Sequence, residues 1–218
     1  MKLLLTSAGI TNQSIADALF DMVGKKPENT SVVFVPTASN TEIGDKSWLI
    51  DDLIYLKNTF GSVDIADISA IGEEIWQPKF EAADILFFEG GNACHLMEWI
   101  NKSGLADLLP ALIKNKVYVG VSAGSMVMSE KLNLKILHNI YEENIEITGE
   151  MAGLGYVDFY FLPHLNNPYF KNLKENFIKE IVKDLSKKIY AMDDNSALKV
   201  VNAKVEAVSE GKWLLFHE

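Results

Sequence analysis

A serine flanked by glycines follows an apolar run near the middle of the chain. The segment Gly120-Val121-Ser122-Ala123-Gly124 comes directly after Lys116–Val121 and precedes the helix-like run Ser125-Met126-Val127-Met128. A G-x-S-x-G nucleophile elbow requires this strand–turn–helix order, because the tight turn needs small neighbours and exposes the hydroxyl. N–H groups at the start of a helix also favour negative charge. The pattern predicts that Ser122 is a nucleophile; the alternative is a glycine-rich turn that binds an anion or only packs.

A serine hydroxyl needs a base to attack at neutral pH, and an imidazole can remove its proton. The chain has four histidines, which are His95, His138, His164 and His217. His164 follows the predicted strand Val157–Leu162, which places it at the same carboxyl edge of the sheet as Ser122. His217 is the penultimate residue, and chain termini are usually poorly ordered. We therefore expect His164 to be the base; the alternative is a loop histidine that caps a backbone group.

A sheet with parallel strands would bring these residues to one edge. Short runs rich in Val, Leu, Ile and Phe, without strict alternation, predict buried strands over Lys2–Ser7, Ser31–Pro36, Asp84–Glu89 and Lys116–Val121. Apolar residues spaced three and four apart predict helices over Ser14–Val23, Lys46–Thr59, Ala93–Asn101 and Leu105–Lys114. The alternating order predicts an α/β fold with a doubly wound, mostly parallel sheet and helices on both faces.

The C-terminal part of the chain carries one more helical pattern and several strand patterns. An amphipathic helix is predicted over Tyr169–Leu185, with Pro168 suited to its first turn. Strands are predicted over Lys188–Met192, Ala197–Val201, Lys204–Val208 and Lys212–Phe216. The last three predict an antiparallel meander, because turn residues lie between them at Asn202-Ala203 and Glu210-Gly211.

The composition excludes several classes of function. The chain has 218 residues, 48% of them hydrophobic and 23% charged, as in ordinary globular proteins. Its net charge of −10 argues against a nucleic-acid partner, because phosphates attract Lys and Arg. No apolar stretch approaches a membrane span, so no membrane partner is expected. The single cysteine, Cys94, fits a reducing compartment. We expect one domain over residues 1–218, located in the cytoplasm, with no metal and no cofactor.

Three motifs, in order, resemble the peptidase E and cyanophycinase family of serine peptidases. Phe87-Phe88-Glu89-Gly90-Gly91-Asn92 resembles the glycine-rich loop of the family, Gly120-Val121-Ser122-Ala123-Gly124-Ser125 its nucleophile elbow, and Leu162-Pro163-His164 its histidine segment. The likeness extends over most of the chain. It implies a fold similar to that of class I glutamine amidotransferases. In that wider group the nucleophile is usually cysteine, so the serine argues against glutamine amide transfer.

The resemblance also implies an oxyanion hole and an acid. The backbone N–H groups of Ala123 and Gly91 are the expected oxyanion donors, since a Gly-Gly turn lets the backbone approach a substrate closely. The acid of the family matches best at Asp194, although many relatives carry Glu there. Asp193 is the alternative, or a carboxylate from elsewhere in the chain. The segment could also be only a turn between two strands.

The expected substrate is a small peptide, with Asn92 and Lys171 as candidate substrate-binding residues. Peptidase E proper prefers an N-terminal aspartate and is thought to hold it with an arginine near the histidine segment. This chain contains no arginine, and all 20 of its basic residues are lysines. Bidentate binding of a carboxylate by a guanidinium group therefore cannot occur. Aspartyl specificity is not expected.

Two other functions fit parts of the pattern. An esterase of the α/β-hydrolase type would use Ser122, Asp194 and His217, in the chain order of that fold. A catalytically degenerate relative would bind a ligand or a partner chain without turnover. A homodimer is compatible with the sequence in each case.

Overall fold

A computed structural model describes residues 1–141 and 150–217. The strands in these ranges, β1 to β12 in chain order, are Lys2–Thr6, Ser31–Val35, Ser62–Ile65, Ile85–Phe88, Val117–Val121, Lys131–Asn133, Glu150–Ala152, Tyr160–Leu162, Ile189–Met192, Ser196–Val201, Lys204–Ser209 and Trp213–Phe216. The helices, α1 to α8, are Gln13–Val23, Ser47–Thr59, Glu73–Ala82, Ala93–Lys102, Leu105–Leu112, Ala123–Met126, Leu134–Tyr141 and Glu175–Val182. None of these helices has the length and apolar character needed to cross a membrane.

The central sheet has the strand order β11-β10-β1-β5-β4-β2-β3. The strands from β1 to β3 in this order are parallel, and β10 and β11 extend the sheet with antiparallel pairing. The chain runs outward from β1 to β2 and β3 and then returns to place β4 and β5 between β2 and β1. Such a reversal opens a crevice at the carboxyl ends of the strands. The predicted α/β class, with a doubly wound and mostly parallel sheet, is confirmed.

Both faces of the sheet are apolar, which explains why its strands lack a polar alternation. On one face, α1 and α2 pack over side chains that include Leu4 and Phe87. On the other face, α3, α4 and α5 pack over side chains that include Leu5 and Phe88. Neighbouring residues of one strand thus enter opposite cores.

One strand, β3, and one helix, α3, lie where the sequence predicts no regular structure. Strand β3 is at the sheet edge and its residues are mostly exposed, so it lacks the apolar run of a buried strand. Helix α3 contains Pro78 and buries only Trp76 and Phe80 among its ten residues, which leaves a narrow apolar stripe. Both patterns are too weak to distinguish from a loop.

The predicted helix over Tyr169–Leu185 is wrong in its first third. The structure has a helix only over Glu175–Val182, and residues 169–174 form turns. The N–H of Asn166 donates to the carbonyl of Leu173, so this segment folds back on the loop that carries His164. In this segment the tertiary contacts at the site determine the backbone conformation, although its apolar residues have helical spacing.

The predicted C-terminal meander is correct for two strands and wrong for the third. Strand β11 pairs with β10 in the central sheet, as expected. Strand β12 instead pairs antiparallel with β9, in a second sheet of order β12-β9-β8. Helices α7 and α8 pack on this sheet around an apolar cluster of its own. The sheet brings β8 and β9, which precede His164 and Asp194, beside each other.

Candidate active site

The predicted nucleophile lies at the carboxyl end of β5 on a strained turn. Ser122 has φ 47° and ψ −106°, a conformation that few non-glycine residues adopt. Its N–H donates to the carbonyl of Thr6 at the end of β1 (3.0 Å). The helix that follows, α6, is a single turn over Ala123–Met126, shorter than the sequence pattern suggests. Any stabilisation of negative charge here therefore comes from individual N–H groups rather than from a long helix dipole.

The glycines of the elbow are required by close backbone contacts. A Cβ at Gly120 would lie 2.5 Å from the carbonyl oxygen of Gly124, and a Cβ at Gly124 would lie 2.3 Å from that of Phe88. The hydroxyl of Ser125 is buried and faces the carbonyl oxygens of Thr6 and Gly120, at 2.9 and 2.8 Å. These contacts fix the elbow against β1 and β4, and the Ser125 hydroxyl therefore has a structural role.

His164 contacts both the serine and the acid that the sequence suggests. The Ser122 hydroxyl donates to Nε2 of His164 at 3.0 Å, and Nδ1 of His164 donates to Oδ1 of Asp194 at 2.7 Å. His164 has φ 66°, in the left-handed region, and its side chain is 14% exposed. A serine, an imidazole and a carboxylate in this sequence of contacts form the geometry of a catalytic triad.

Asp194 is held as a carboxylate by several donors. Its Oδ1 also accepts from the Ser7 hydroxyl (2.9 Å), and its Oδ2 accepts from the side-chain amide of Asn167. Burial acts to raise the pKa of Asp194, but the hydrogen bond and charge of His164, with the donors Asn167 and Ser7, outweigh burial and lower it. The ionised acid can orient the imidazole and stabilise its protonated form.

The two rival residues of the sequence analysis are engaged elsewhere. Asp193 accepts at Oδ1 from the N–H of Asn195 and the hydroxyl of Ser196, and at Oδ2 from the N–H of Lys212. His217 donates from Nε2 to the carbonyl of Val182 at the end of α8 (2.9 Å). Asp193 therefore forms the turn that the sequence analysis considered for this segment. The imidazole that contacts the serine is that of His164.

The glycine-rich loop after β4 packs directly against the elbow. A Cβ at Gly90 would lie 3.3 Å from the Cβ of Ser122, so Gly90 is the loop residue against the nucleophile. Gly91 has φ 129°, and a Cβ there would lie 2.3 Å from the carbonyl oxygen of Ala38. Asn92 is the N-cap of α4, because its Oδ1 accepts from the N–H of His95 at 2.8 Å. The loop thus presents glycine backbone to the space beside Ser122.

The segment after His164 supplies a ring that fixes the imidazole. Phe170 stacks on His164 with a centroid distance of 4.7 Å and an interplanar angle of 13°. Tyr141 packs edge-on against the same Phe170 ring and donates its hydroxyl to the carbonyl of Pro163. Lys171 follows this ring and is exposed to solvent. The sequence does not signal this stacking, because the segment has the spacing of a helix.

Sequence reasoning missed two polar residues that complete the site. The Ser7 hydroxyl accepts from the N–H of His164 (2.7 Å) as well as donating to Asp194. Asn167 donates to the second oxygen of Asp194. Ser7 follows β1, and polar residues that follow parallel strands meet at one edge, so its position was a usable signal. Asn167 lies in a turn that no local pattern assigns to the site.

Two further acids, Glu89 and Asp52, lie near the glycine-rich loop that follows β4. Glu89, between β4 and Gly90, is fully buried, and its Oε1 accepts from the N–H of Gly90 (2.7 Å). Its carboxyl group faces that of Asp52 on α2. Burial first, and then the charge of Asp52, raise the pKa of Glu89 well above its usual value. Burial also raises the pKa of Asp52, to about 7.

The described residues contain no group of three or more His, Cys, Asp or Glu side chains that could hold a metal ion. The arrangement beside Ser122 consists of a hydroxyl, an imidazole, a carboxylate and backbone N–H groups. These groups are suited to nucleophilic attack on a carbonyl carbon.

A doubly wound sheet with a serine elbow at its carboxyl edge is the architecture of a serine hydrolase. The model of peptidase family S51 matches residues 3–208, which is nearly the whole sequence. The chain belongs to peptidase family S51 and is a serine-type peptidase. The resemblance to peptidase E that the motifs suggest is thereby confirmed.

Relatives share part of the sequence of this chain, and solved structures share its fold. The chain is 26% identical over 194 residues to an uncharacterized peptidase of Pasteurella multocida, covering 86% of this chain and 89% of the relative. It is 26% identical over 185 residues to one of Listeria monocytogenes, covering 83% and 86%. A crystal structure of a Listeria monocytogenes protein assigned to peptidase E superposes with a TM-score of 0.78 at 24% identity, covering 96% of this chain and 98% of that one. A peptidase from an acI-B1 Actinobacterium gives 0.65 at 16% identity, covering 99% and 96%.

Proposed function

We propose that the protein hydrolyses small peptides, as a dipeptidase-like enzyme, through a triad of Ser122, His164 and Asp194. One observation carries the proposal, which is the continuous set of contacts from Asp194 through His164 to the Ser122 hydroxyl, at 2.7 and 3.0 Å. The spacing is short enough for proton transfer, and each group is held by its own neighbours.

In the proposed reaction, His164 takes the proton of Ser122 as Oγ attacks the peptide carbonyl. The imidazolium then donates this proton to the leaving amine, and water hydrolyses the acyl-enzyme by the same steps. Asp194 remains ionised and stabilises the imidazolium, which its lowered pKa supports. Phe170, stacked on the ring, restricts its rotation.

We assign the oxyanion hole to the N–H groups of Ala123 and Gly91. Ala123 is the first residue of α6, where a backbone N–H has no acceptor within the helix. Support for a loop donor comes from the close contact of Gly90 with Ser122, because Gly91 is the next residue. A single such donor is typically worth about 3 to 4 kcal/mol of transition-state stabilisation.

The proposed substrates are neutral small peptides rather than peptides that begin with aspartate. Trp48 is 38% exposed, and its ring lies 3.8 Å from the position of a Cβ at Gly90, so an aromatic surface borders the loop. Lys171 is exposed and remains the candidate for binding a substrate carboxylate. The Oδ1 of Asn92 caps α4, so a substrate contact by Asn92 would fall to its side-chain NH₂.

Turnover of a dipeptide library by the intact protein tests this function. The wild type is expected to release free amino acids from part of the library, and Ser122→Ala to release none. Ser125→Ala is the matched control, because its hydroxyl is buried and bonded to backbone carbonyls. Equal release by wild type and Ser122→Ala would contradict the proposal.

We place the enzyme in the cytoplasm, because a chain with one cysteine, Cys94, cannot form an intramolecular disulfide and so suits a reducing compartment. Small peptides are the proposed partners, and nucleic acid is not, given the net charge of −10. A homodimer remains compatible with this function. Fractionation of cells and sedimentation of the purified protein would test these two points.

A further inference from the structure

We propose that Glu89 is a positioning residue that stays protonated, bonds the carboxylate of Asp52 and holds the Gly90-Gly91 turn in place beside Ser122. This inference rests on the proposed serine peptidase function, because it concerns how the oxyanion loop of that site is held. It adds to the triad an acid that never contacts the substrate.

The hydrogen bonds of Glu89 indicate where its proton lies. Oε1 accepts from the N–H of Gly90 at 2.7 Å, as the carbonyl oxygen of a neutral carboxyl group would. Oε2 is buried and has no donor, which would be costly for a carboxylate oxygen. As a hydroxyl, Oε2 can instead donate to the carboxyl group of Asp52, which faces Glu89. A protonated Glu89 therefore satisfies both of its oxygens.

The surroundings of the pair match this arrangement. Asp52 is partly buried, and its carboxyl group packs on the backbone of Gly9, where a Cβ would lie 2.4 Å from Oδ1. The titratable groups near Asp52 on its own helix are Asp51, whose charge adds to the raised pKa of Asp52, and Tyr55, whose pKa is raised mainly by burial. Within the part of the chain that the structure describes, neither acid forms an ion pair with a lysine. Retention of a proton is the remaining way to avoid two buried negative charges.

The position of the pair connects its protonation to catalysis. Gly90 contacts Ser122, and the oxyanion of the reaction is expected to form beside this loop. Loss of the Glu89 proton would place two negative charges behind the loop, oppose the developing oxyanion and repel Asp52. The loop geometry and the local potential would both become unfavourable once that proton is lost.

The test compares Glu89→Gln and Glu89→Leu with the wild type. Glutamine can accept from the N–H of Gly90 and donate to Asp52 without a titratable proton, whereas leucine can do neither. We expect Glu89→Gln to keep neutral-pH activity and to lose the alkaline fall in kcat/KM that the wild type shows when Glu89 releases its proton. The acid limb of the profile should not move. Glu89→Leu should lower kcat on the order of 10²-fold, as misplacement of a catalytic loop does.

Two kinetic results would overturn the proposal. One is an alkaline limb in Glu89→Gln identical to that of the wild type, and the other is a folded but inactive Glu89→Gln. Either result would show that Glu89 does not position the loop through its proton. An infrared measurement makes the test independent of turnover. The wild type at neutral pH should show a protonated-carboxyl C=O band that Glu89→Gln lacks, and absence of that band in the wild type also contradicts the proposal. If Ser122→Ala kept full turnover while the band was present, the peptidase mechanism alone would fail.

Discussion

Two acidic sites flank the nucleophile at the same edge of the sheet, and the protein holds them in opposite states. Asp194 receives hydrogen bonds from His164, Ser7 and Asn167, and its pKa is lowered although burial acts against this. Glu89 receives one backbone hydrogen bond and faces another carboxyl group, and its pKa is raised. Burial penalises the charge at both sites. The number of donors therefore decides which acid is ionised.

The largest losses of activity are expected for the residues that contact the reacting atoms. Ser122→Ala should abolish turnover, and His164→Ala should lower kcat by about 10³-fold or more, because triad members act as a unit. His217→Ala should leave kcat unchanged, since His217 bonds the carbonyl of Val182. Steady-state kinetics on one dipeptide checks all three variants. A loss of activity in His217→Ala with activity retained in His164→Ala would favour the esterase-type assignment.

Replacing Asp194 and, separately, its neighbour Asp193 tests which of the two is the acid of the triad. Asp194→Asn should lower kcat by roughly 10³-fold, because asparagine neither holds the required imidazole tautomer nor stabilises the imidazolium. Asp193→Asn should affect stability rather than kcat, because Asp193 bonds only turn residues in the described structure. Kinetics combined with thermal unfolding separates the two effects. The assignment of the acid would be wrong if Asp193→Asn showed the larger loss of kcat.

The raised pKa values of Asp52 and Glu89 should make the stability of the fold depend on pH. The pKa of Asp52 rises from 3.8 to about 7 on folding, so the folded state retains a proton that the unfolded chain releases. Stability is therefore expected to fall as the pH rises from about 4 to about 7, by roughly 2 to 4 kcal/mol. The double variant Asp52→Asn/Glu89→Gln should flatten this slope. Urea unfolding at a series of pH values measures it, and an unchanged slope in the double variant would contradict the assignment.

Asp194 should act in the opposite direction and in a different range. Its folded pKa is lowered, so its contribution to stability is present above the unfolded value of 3.8 and is lost as the pH falls through the folded value. Asp194→Asn should reduce the acid sensitivity of the fold and leave the slope above pH ~4 intact.

The smallest effect is expected in substrate preference. With no arginine in the chain, a substrate carboxylate would have to pair with lysine, which lacks the planar fork. We expect kcat/KM for Asp-Leu and Ala-Leu to agree within roughly tenfold, or about 1.4 kcal/mol. A preference for Asp-Leu of ~100-fold would show that an anchoring group exists, and Lys171 would be the first residue to replace.

The sequence predicts the parallel half of the molecule well, because that half is governed by local patterns. The strands around Ser122 are continuous apolar runs between helices, and such runs indicate both their burial and their common edge. The elbow was recognisable because the contact that requires Gly120 lies within the elbow itself, where a Cβ would be 2.5 Å from the carbonyl oxygen of Gly124.

The rest depends on contacts between distant parts of the chain. Strand β12 has an ordinary strand pattern, and only the open edge of β9 decides where it pairs. The turns over residues 169–174 have helical spacing, but Phe170 is used to stack on His164. Asp193 and Asp194 are adjacent and chemically identical, so the choice between them comes from the fold. The Asp52–Glu89 pair joins residues 37 positions apart and has no local signal.

The central claim is that Ser122 is a nucleophile activated by His164. Reaction with a fluorophosphonate probe, followed by mass spectrometry of the intact protein and its peptides, tests it directly, because an unactivated serine does not label. We expect one adduct on Ser122 in the wild type and in Ser125→Ala, and none in Ser122→Ala or His164→Ala. An unlabelled wild type, or an adduct that persists in Ser122→Ala, would contradict the claim.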